Sequence, residues 1–276
     1  MKRRYHVNQG GLPPQRQRLD TRAVFTPAYA FLPGSTMTDI VTSYLPQWQK
    51  TRLWVLARPL SGFAETFSQY MMEVAPGGGS DNPEDAEGVE ALLFVTGGQP
   101  TLTLEGETHE LRPGSYVFIA PDAEWSLHNL QGENAAFHWL RKRYEVVAGL
   151  DKPESFVTHD DDVLPLAMPD TGEKWATSWF VGLDDMRHDM HLNIITFQPG
   201  GVISFPETHV MEHGIYVLQG KASYKLNQDW IEVEAGDFMW LRAFCPQACY
   251  AVGDGPFRYL LYKDVNRHVK LGDYLR

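Results

Sequence analysis

The sequence predicts an all-β protein built from two tandem β-barrel domains. After Arg52, short runs of alternating apolar residues follow one another between turn signals such as Pro113-Gly114, without helical periodicity, and this pattern is typical of a sandwich or barrel. Similar runs begin again after residues 151–175, which are rich in Asp and Pro. With 276 residues and 43% hydrophobic content, the chain is long enough for two domains of about 100 to 150 residues each.

Four segments are expected in chain order. Residues 1–50 are interpreted as a polar N-terminal arm followed by leading strands, and residues 51–150 as the first barrel. Residues 151–175 have little periodicity and are interpreted as a linker, and residues 176–276 as the second barrel.

An internal repeat supports the two-domain interpretation. Three pieces of the first half align with three pieces of the second half: Leu93–Gly97 with Tyr216–Gly220, Arg112–Tyr116 with Glu234–Phe238, and Phe137–Leu140 with Phe257–Leu260. The separation of Gly97 and Gly114 is within one residue of the separation of Gly220 and Gly236. A tandem duplication accounts for this correspondence.

Charge and cysteine content exclude several classes of function. The formal net charge is -11 and the pI is near 5.3, so nucleic acid and anionic membrane surfaces, which need basic partners, are not expected. No stretch approaches the roughly 20 apolar residues of a membrane span. Cys245 and Cys249 would lie about 13 Å apart on one strand face, too far for a disulfide. We therefore expect a cytoplasmic protein that acts on a small molecule.

The segment from Gly201 to Gly220 carries the clearest chemical signal. Within it Glu207, His209 and His213 have the spacing E-x-H-x3-H. Because side chains alternate along a strand, Glu207 and His209 are expected on one face, and His213 has the same parity after a short bend. A carboxylate and two imidazoles on one face supply three ligands of a divalent-metal site.

This segment resembles the first motif of the cupin family, in which two glycines enclose three metal ligands at fixed spacings. The residues that fit the frame are Gly201, Glu207, His209, His213 and Gly220. The resemblance implies a bicupin, that is, two jelly-roll-like barrels in tandem. It places the metal in the second barrel.

The second cupin motif begins with a glycine and normally has its metal-binding histidine eleven residues later. Counted from Gly236, that position is Gln247, whose amide oxygen is also a donor. The implied ligand set is Glu207, His209, His213 and Gln247. This set departs from the usual three histidines and one glutamate. Two oxygen and two nitrogen donors are harder than a thiolate or all-histidine set, which favours Mn2+ over Zn2+ or Cu2+.

The first half lacks these ligands. With Gly97 aligned to Gly220, Glu90 falls at the position of His213 and Ala86 at that of His209, and Trp125 falls at the position of Gln247. Without imidazoles or a fourth donor, the first barrel is expected to bind no metal.

Beyond the motifs, the chain resembles the (S)-ureidoglycine aminohydrolases of allantoin and purine degradation. The similarity runs over most of the chain, including GGGSDNPEDAEGVEALLFVTGG and FHWLRKRY of the first barrel, and is densest after Thr196. The Glu/His/His/Gln ligand set is its most specific element. It implies an Mn2+-dependent hydrolase that replaces the amino group on the central carbon of ureidoglycine by hydroxyl, giving (S)-ureidoglycolate and ammonia.

The resemblance also implies three catalytic residues. Tyr259 and Lys263 share one face of a strand, and Tyr224 is expected to face inward from a nearby hairpin. Lys263 would bind the carboxylate or the ureido oxygen, and the tyrosines would donate hydrogen bonds or move a proton. A homo-oligomer is expected as well, because barrels of this type carry exposed strand edges.

Two other classes of function are compatible with the sequence. A metal dioxygenase or isomerase is one, since a barrel of this kind supports many chemistries. A non-enzymatic ligand-binding bicupin is the other, and it would have a closed or apolar cavity. The polar residues Lys263, Tyr224 and Tyr259 argue against that second alternative.

Overall fold

The computed structural model describes residues 5, 22–37, 45–59, 64 and 66–264. Within these residues, the regular structure consists of 21 β-strands and short 3-10 helices such as Gly34–Thr36 and Asp160–Asp162. The prediction of an all-β fold is confirmed. No helix in the described ranges has the length and apolar character needed to cross a membrane.

The first eleven strands run from the N-terminal segment to the end of the first barrel. They are β1 (Val24–Phe25), β2 (Tyr29–Leu32), β3 (Gln49–Ala57), β4 (Ser68–Ser80), β5 (Val89–Gly97), β6 (Thr101–Leu104), β7 (Glu107–Glu110), β8 (Ser115–Ile119), β9 (Trp125–His128), β10 (Ala135–Arg143) and β11 (Phe156–His159). Strand β6 shows how the sequence dictates these elements, because its two leucines are buried and its two threonines are partly exposed.

Ten further strands follow. They are β12 (Leu166–Ala167), β13 (Trp175–Ser178), β14 (Met190–Phe197), β15 (Val202–Glu207), β16 (His213–Gln219), β17 (Lys221–Leu226), β18 (Asp229–Glu234), β19 (Phe238–Leu241), β20 (Gln247–Val252) and β21 (Phe257–Asp264). Gly114 and Gly236 precede β8 and β19 with φ of 98° and 101°, a conformation that favours glycine. This shared turn supports the internal repeat.

The strands form two barrels with antiparallel pairing. The first barrel is one sheet in the order β11-β8-β5-β10-β4-β9-β6-β7, with β3 paired to β4. The second barrel consists of an eight-stranded sheet, β1-β2-β19-β16-β21-β14-β13-β12, and a four-stranded sheet, β15-β20-β17-β18. Its interior lies between these two sheets, where Ile215 and Tyr259 meet Tyr224 and Cys249 in one core.

The two barrels pack against each other through their large sheets. A third core lies between them and contains Leu92 and Phe94 from the first barrel with Tyr216 and Leu260 from the second. Alternation along each strand therefore sends one set of side chains into a barrel and the other set into the contact between barrels. Tyr262 illustrates the contact, since its ring stacks on a first-barrel phenylalanine at a centroid distance of 3.8 Å.

The predicted division of the chain stays a prediction, and the structure adds detail to it. Strands β1 and β2 pair with β19, so the leading strands extend the sheet of the second barrel. The segment interpreted as a linker contains β11, which pairs with β8 of the first barrel, and β12, which pairs with β13 of the second. Most of residues 1–21 and all of 265–276 lie outside the described residues.

Candidate active site

Glu207 and Gln247 are held opposite each other by strand pairing. Glu207 is the last residue of β15 and Gln247 is the first residue of β20, and the register pairs their Cα atoms. An irregularity in the pairing separates Glu207 from the preceding pair at Ile203. Directly paired residues of neighbouring strands point to the same face, so the carboxylate and the amide meet at one end of the second barrel.

His209 reaches the same place from a bend. Its Nε2 lies 3.2 Å from Oε1 of Glu207, and its ring centroid lies 5.2 Å from that of His213. The expectation that one strand face carries Glu207 and His209 is wrong, because β15 ends at Glu207 and His209 lies beyond it. The bend, rather than strand alternation, brings the three side chains together.

The surroundings of His213 keep its ring neutral and fix its orientation. His213 is the first residue of β16 and is buried. Its Nδ1 lies 3.2 Å from the carbonyl oxygen of Tyr262 and so donates to it. Its Nε2 is buried and has no hydrogen-bond partner among the residues that the structure describes. Burial, together with the neighbouring His209, lowers the pKa of His213 to about 3, so the ring is neutral and Nε2 presents a lone pair.

The Tyr224 hydroxyl orients the Gln247 amide. The Tyr224 hydroxyl donates to Oε1 of Gln247 at 2.8 Å, and the Tyr224 and Tyr259 rings meet edge to face at 6.1 Å. Burial raises the pKa of both tyrosines well above the ordinary value, so both hydroxyls remain protonated donors. The amide oxygen of Gln247 retains a second lone pair.

Lys263 supplies a cation beside the histidines. The strand register pairs it with His213 on one side and with His191 on the other. Its Nζ lies 5.0 Å from the ring centroid of Trp179, a cation-π distance. Burial lowers the pKa of Lys263. The three catalytic residues predicted from the sequence therefore lie within the same end of the same barrel as the four predicted ligands.

Glu212, the residue before His213, joins the second barrel to the first. It is buried, and its carboxylate accepts hydrogen bonds from Trp240 Nε1 at 2.6 Å and from the Thr66 backbone and hydroxyl at 2.9 and 2.6 Å. Thr66 belongs to the first barrel's side of the contact, so the first barrel braces the strand that carries His213.

The structure also corrects the repeat register near the ligands. Ala91 points into the first barrel, whereas Glu90 shares the face of Leu92, which packs between the barrels. His213 faces the interior of the second barrel. Glu90 therefore does not occupy the equivalent position, and that expectation is wrong. The reason is that pairing irregularities fall at different places near the ends of β5 and β16.

Two polar residues that the sequence interpretation missed lie on the interior face of β14. His191 and Asn193 alternate with Leu192 and are both buried. Their signal in the sequence is the alternation of MHLNIITF, which becomes informative only once the inward face of this strand is known. They lie on the side of Lys263 opposite to His213.

The four predicted ligands fit a divalent cation by donor type. They combine one carboxylate, two imidazoles and one amide oxygen. The buried Nε2 of His213, which no hydrogen bond satisfies in the described part of the chain, carries a lone pair that a cation would use. In the described ranges, however, no three His, Cys, Asp or Glu side chains are grouped closely enough to hold a metal ion. Glu207 and His209 contact each other instead. The ligand set stays a prediction.

The family model of the cupin domain matches residues 70–141 and 193–262, one region in each barrel. A Pseudomonas aeruginosa structure named as a glyoxylate-induced protein is 60% identical, has a TM-score of 0.92, and aligns over 98% of this chain and 99% of that chain.

Two curated relatives carry an enzymatic name. An (S)-ureidoglycine aminohydrolase of Arabidopsis thaliana is 32% identical over 249 residues, which cover 90% of this chain and 79% of the relative. One of Escherichia coli K12 is 29% identical over 247 residues, which cover 86% of this chain and 89% of the relative.

The fold and the two matched domains define a bicupin, as the sequence predicted. The chain belongs to the (S)-ureidoglycine aminohydrolase family of cupin enzymes.

Proposed function

We propose that the protein is a manganese-dependent hydrolase that converts (S)-ureidoglycine and water to (S)-ureidoglycolate and ammonia in purine degradation. The observation that carries this proposal is the placement of Glu207, His209, His213 and Gln247 at one end of the second barrel, beside Lys263. The names of the curated relatives support the same activity.

The cation would be held by Glu207, His209, His213 and Gln247. A bound divalent cation would supply a Lewis acid and an orienting centre for the substrate. Two oxygen and two nitrogen donors suit Mn2+ better than Zn2+ or Cu2+. The Tyr224 hydroxyl would hold the Gln247 amide in the orientation that presents its oxygen.

Substrate recognition would use the polar groups beside the ligands. The Lys263 ammonium suits the carboxylate of ureidoglycine, and the protonated hydroxyl of Tyr259 suits an acceptor on the substrate. In the reaction the bond from the central carbon to the amino nitrogen breaks and a bond to the oxygen of water forms. The nitrogen leaves as ammonia, with a proton from water.

An ammonia-release assay tests the proposal. Manganese-loaded protein, mixed with freshly prepared (S)-ureidoglycine, should release ammonia faster than the substrate does alone, and the product should be (S)-ureidoglycolate. Chelation should remove the added rate, and manganese should restore it. Because the substrate is an unstable aminal, protein-free and heat-inactivated samples are needed in every run. A rate equal to the spontaneous one would refute the proposal.

Oxygen uptake distinguishes a dioxygenase from the proposed hydrolase. A dioxygenase would consume O2 with Fe2+ and a suitable substrate, whereas the proposed hydrolase consumes none. Oxygen consumption without ammonia release would favour that alternative over the hydrolase.

We also propose that the protein is a homo-oligomer. Phe205, Val210 and Phe244 are 60%, 67% and 66% exposed, and exposed apolar side chains of this kind favour contact with a second copy. Light scattering should therefore give a mass that is a multiple of 31.3 kDa. A monomer mass at micromolar concentration would contradict this.

A further inference from the structure

Three neighbouring strands align polar residues in a row. The register pairs His191 on β14 with Lys263 on β21, and pairs Lys263 with His213 on β16. Neighbouring strands lie about 4.8 Å apart, and paired residues point to the same face. His191 is therefore about two strand spacings from the predicted ligand His213, with the lysine between them.

This face is the interior of the second barrel. Two and four residues after His191 come Asn193 and Ile195, which share its face, and Ile195 belongs to the same core as Tyr224 and Tyr259. The intervening residue Leu192 packs between the barrels instead. His191 and Asn193 therefore point toward the predicted active site.

Both side chains are buried, and within the described ranges their polar atoms make no hydrogen bond. His191 and Asn193 are each 1% exposed, and neither ring nitrogen of His191 nor either amide atom of Asn193 has a hydrogen-bond partner among the described residues. Leaving such groups unpaired is costly. A binding partner that is absent from the folded chain alone would remove that cost.

Two other buried residues of the same types, Asn129 and His159, are satisfied within the chain. Asn129 donates to the carbonyl oxygens of Val74 and Glu133 and accepts from the Gln131 backbone. His159 contacts the Pro113 carbonyl oxygen through Nε2 and accepts from the Asp161 backbone through Nδ1. Asn129 and His159 thus use their polar atoms within the chain, whereas those of His191 and Asn193 have no hydrogen-bond partner in the described part of the chain.

We propose that His191 and Asn193 form the subsite that binds the ureido group of the substrate, an inference that rests on the proposed function. A ureido group is planar and neutral, with a carbonyl acceptor and several N–H donors. An imidazole and a carboxamide offer both donors and acceptors, which match it. Lys263, next in the row, then takes the carboxylate, so the two ends of the substrate are distinguished.

The charge of His191 is consistent with this role. Burial, followed by the nearby Lys263, lowers its pKa to about 3. At neutral pH the ring therefore supplies one donor and one acceptor rather than two donors. Such a ring can pair with either the carbonyl or an N–H of a ureido group.

Binding of two stable analogues tests the subsite. N-carbamoylglycine carries the ureido group and the carboxylate, and N-acetylglycine has a methyl group in place of the terminal amine. Calorimetry on manganese-loaded protein should show that Asn193→Leu and His191→Phe weaken N-carbamoylglycine binding about 10-fold or more. N-acetylglycine binding should weaken less, since it offers fewer donors.

A matched variant separates binding from stability. Asn129→Leu removes a satisfied buried amide far from the site, so it should lower the melting temperature and leave N-carbamoylglycine binding unchanged. Asn193→Leu removes an unsatisfied one, so it should leave the melting temperature unchanged or raise it. With ureidoglycine, Asn193→Leu should raise KM more than it lowers kcat.

The subsite and the proposed function can fail separately. If the wild-type protein does not bind N-carbamoylglycine, or if both variants bind it as the wild type does, the subsite is refuted even when ammonia is released. Equal weakening for both analogues also refutes it. If the variants weaken N-carbamoylglycine selectively but the wild type releases no ammonia, the subsite stands and the proposed reaction fails.

Discussion

The two barrels place different residues at the same point of one framework. Trp125 begins β9 and is paired with Leu104, the last residue of β6. Gln247 begins β20 and is paired with Leu226, the last residue of β17. The first barrel thus has an indole where the second has a carboxamide, and this part of the sequence alignment agrees with the register.

The interiors differ accordingly. In the first barrel Trp125 packs with Trp48 and Trp139 at ring-centroid distances of 6.3 and 5.8 Å. In the second barrel Gln247 accepts from Tyr224, and the histidines and Lys263 lie nearby. Aromatic filling closes the first interior and stabilises it, whereas polar lining makes the second a candidate site. The shared framework fixes positions, and the residues at those positions decide function.

The largest expected effect comes from removing an imidazole of the second barrel. His209→Ala should lower manganese affinity by more than about 100-fold, because losing a ligand costs more than losing a residue that only hydrogen-bonds to a ligand. Ammonia release should fall to the spontaneous rate. The His209 side chain is partly exposed, so folding should be retained. Elemental analysis and the ammonia assay measure both effects.

A histidine of the first barrel serves as the control. His128 contacts Asp81 at 3.1 Å near the surface, and His128→Ala should leave the manganese content unchanged. If His209→Ala retains a full manganese content, the ligand assignment is wrong. If His128→Ala loses manganese, the contrast between the barrels is wrong.

The next effect concerns the first barrel's stability. Trp125→Gln copies the residue of the second barrel into the aromatic core of the first. It should lower the free energy of unfolding by about 3 kcal/mol, since it removes a buried ring and buries an amide. It should create no metal site, because the imidazoles are missing. Urea unfolding and metal analysis check both parts, and an additional bound manganese ion per chain would break the comparison.

Much of the fold could be predicted from the sequence. The alternation of apolar residues and the repeated Gly114 and Gly236 turns indicate two barrels, because both patterns are local and periodic. The association of β1 and β2 with the second barrel could not be predicted. It depends on pairing across about 200 residues, which no local pattern records.

The site could be predicted in part. The spacing of Glu207, His209 and His213 selected residues that the structure brings together, although by a bend rather than by strand alternation. The alignment of Glu90 failed because a shift of one residue turns a side chain to the other face. His191 and Asn193 were missed, since a polar residue in a strand becomes informative only when its face and its missing partners are known.

A smaller effect is expected from the hydroxyl that contacts Gln247, the fourth predicted ligand. Tyr224→Phe removes the donor to Gln247 and keeps the ring. Manganese affinity should fall about 10-fold, and the free energy of unfolding should fall by about 1 kcal/mol. Titration with manganese and urea unfolding measure the two changes. An unchanged affinity would show that the amide needs no support from Tyr224.

The smallest effect at neutral pH, and the most specific one, concerns Lys263. Burial lowers its pKa, so its ammonium should lose its proton at a lower pH than an exposed lysine would. The carboxylate of N-carbamoylglycine would bind the charged form of Lys263. The affinity for N-carbamoylglycine should therefore be full below this pKa and should fall about tenfold per pH unit above it. Lys263→Arg should remove that fall, because arginine stays charged and can stack on Trp179.

The alkaline titration isolates this group. N-carbamoylglycine keeps its own charge throughout the alkaline range, so a loss of affinity reports on the protein. The arginine variant should bind within a few-fold of the wild type at neutral pH and more tightly than the wild type at alkaline pH. If both proteins lose affinity in parallel, the titrating group is not Lys263, and the polar row of the second barrel holds the carboxylate by another residue.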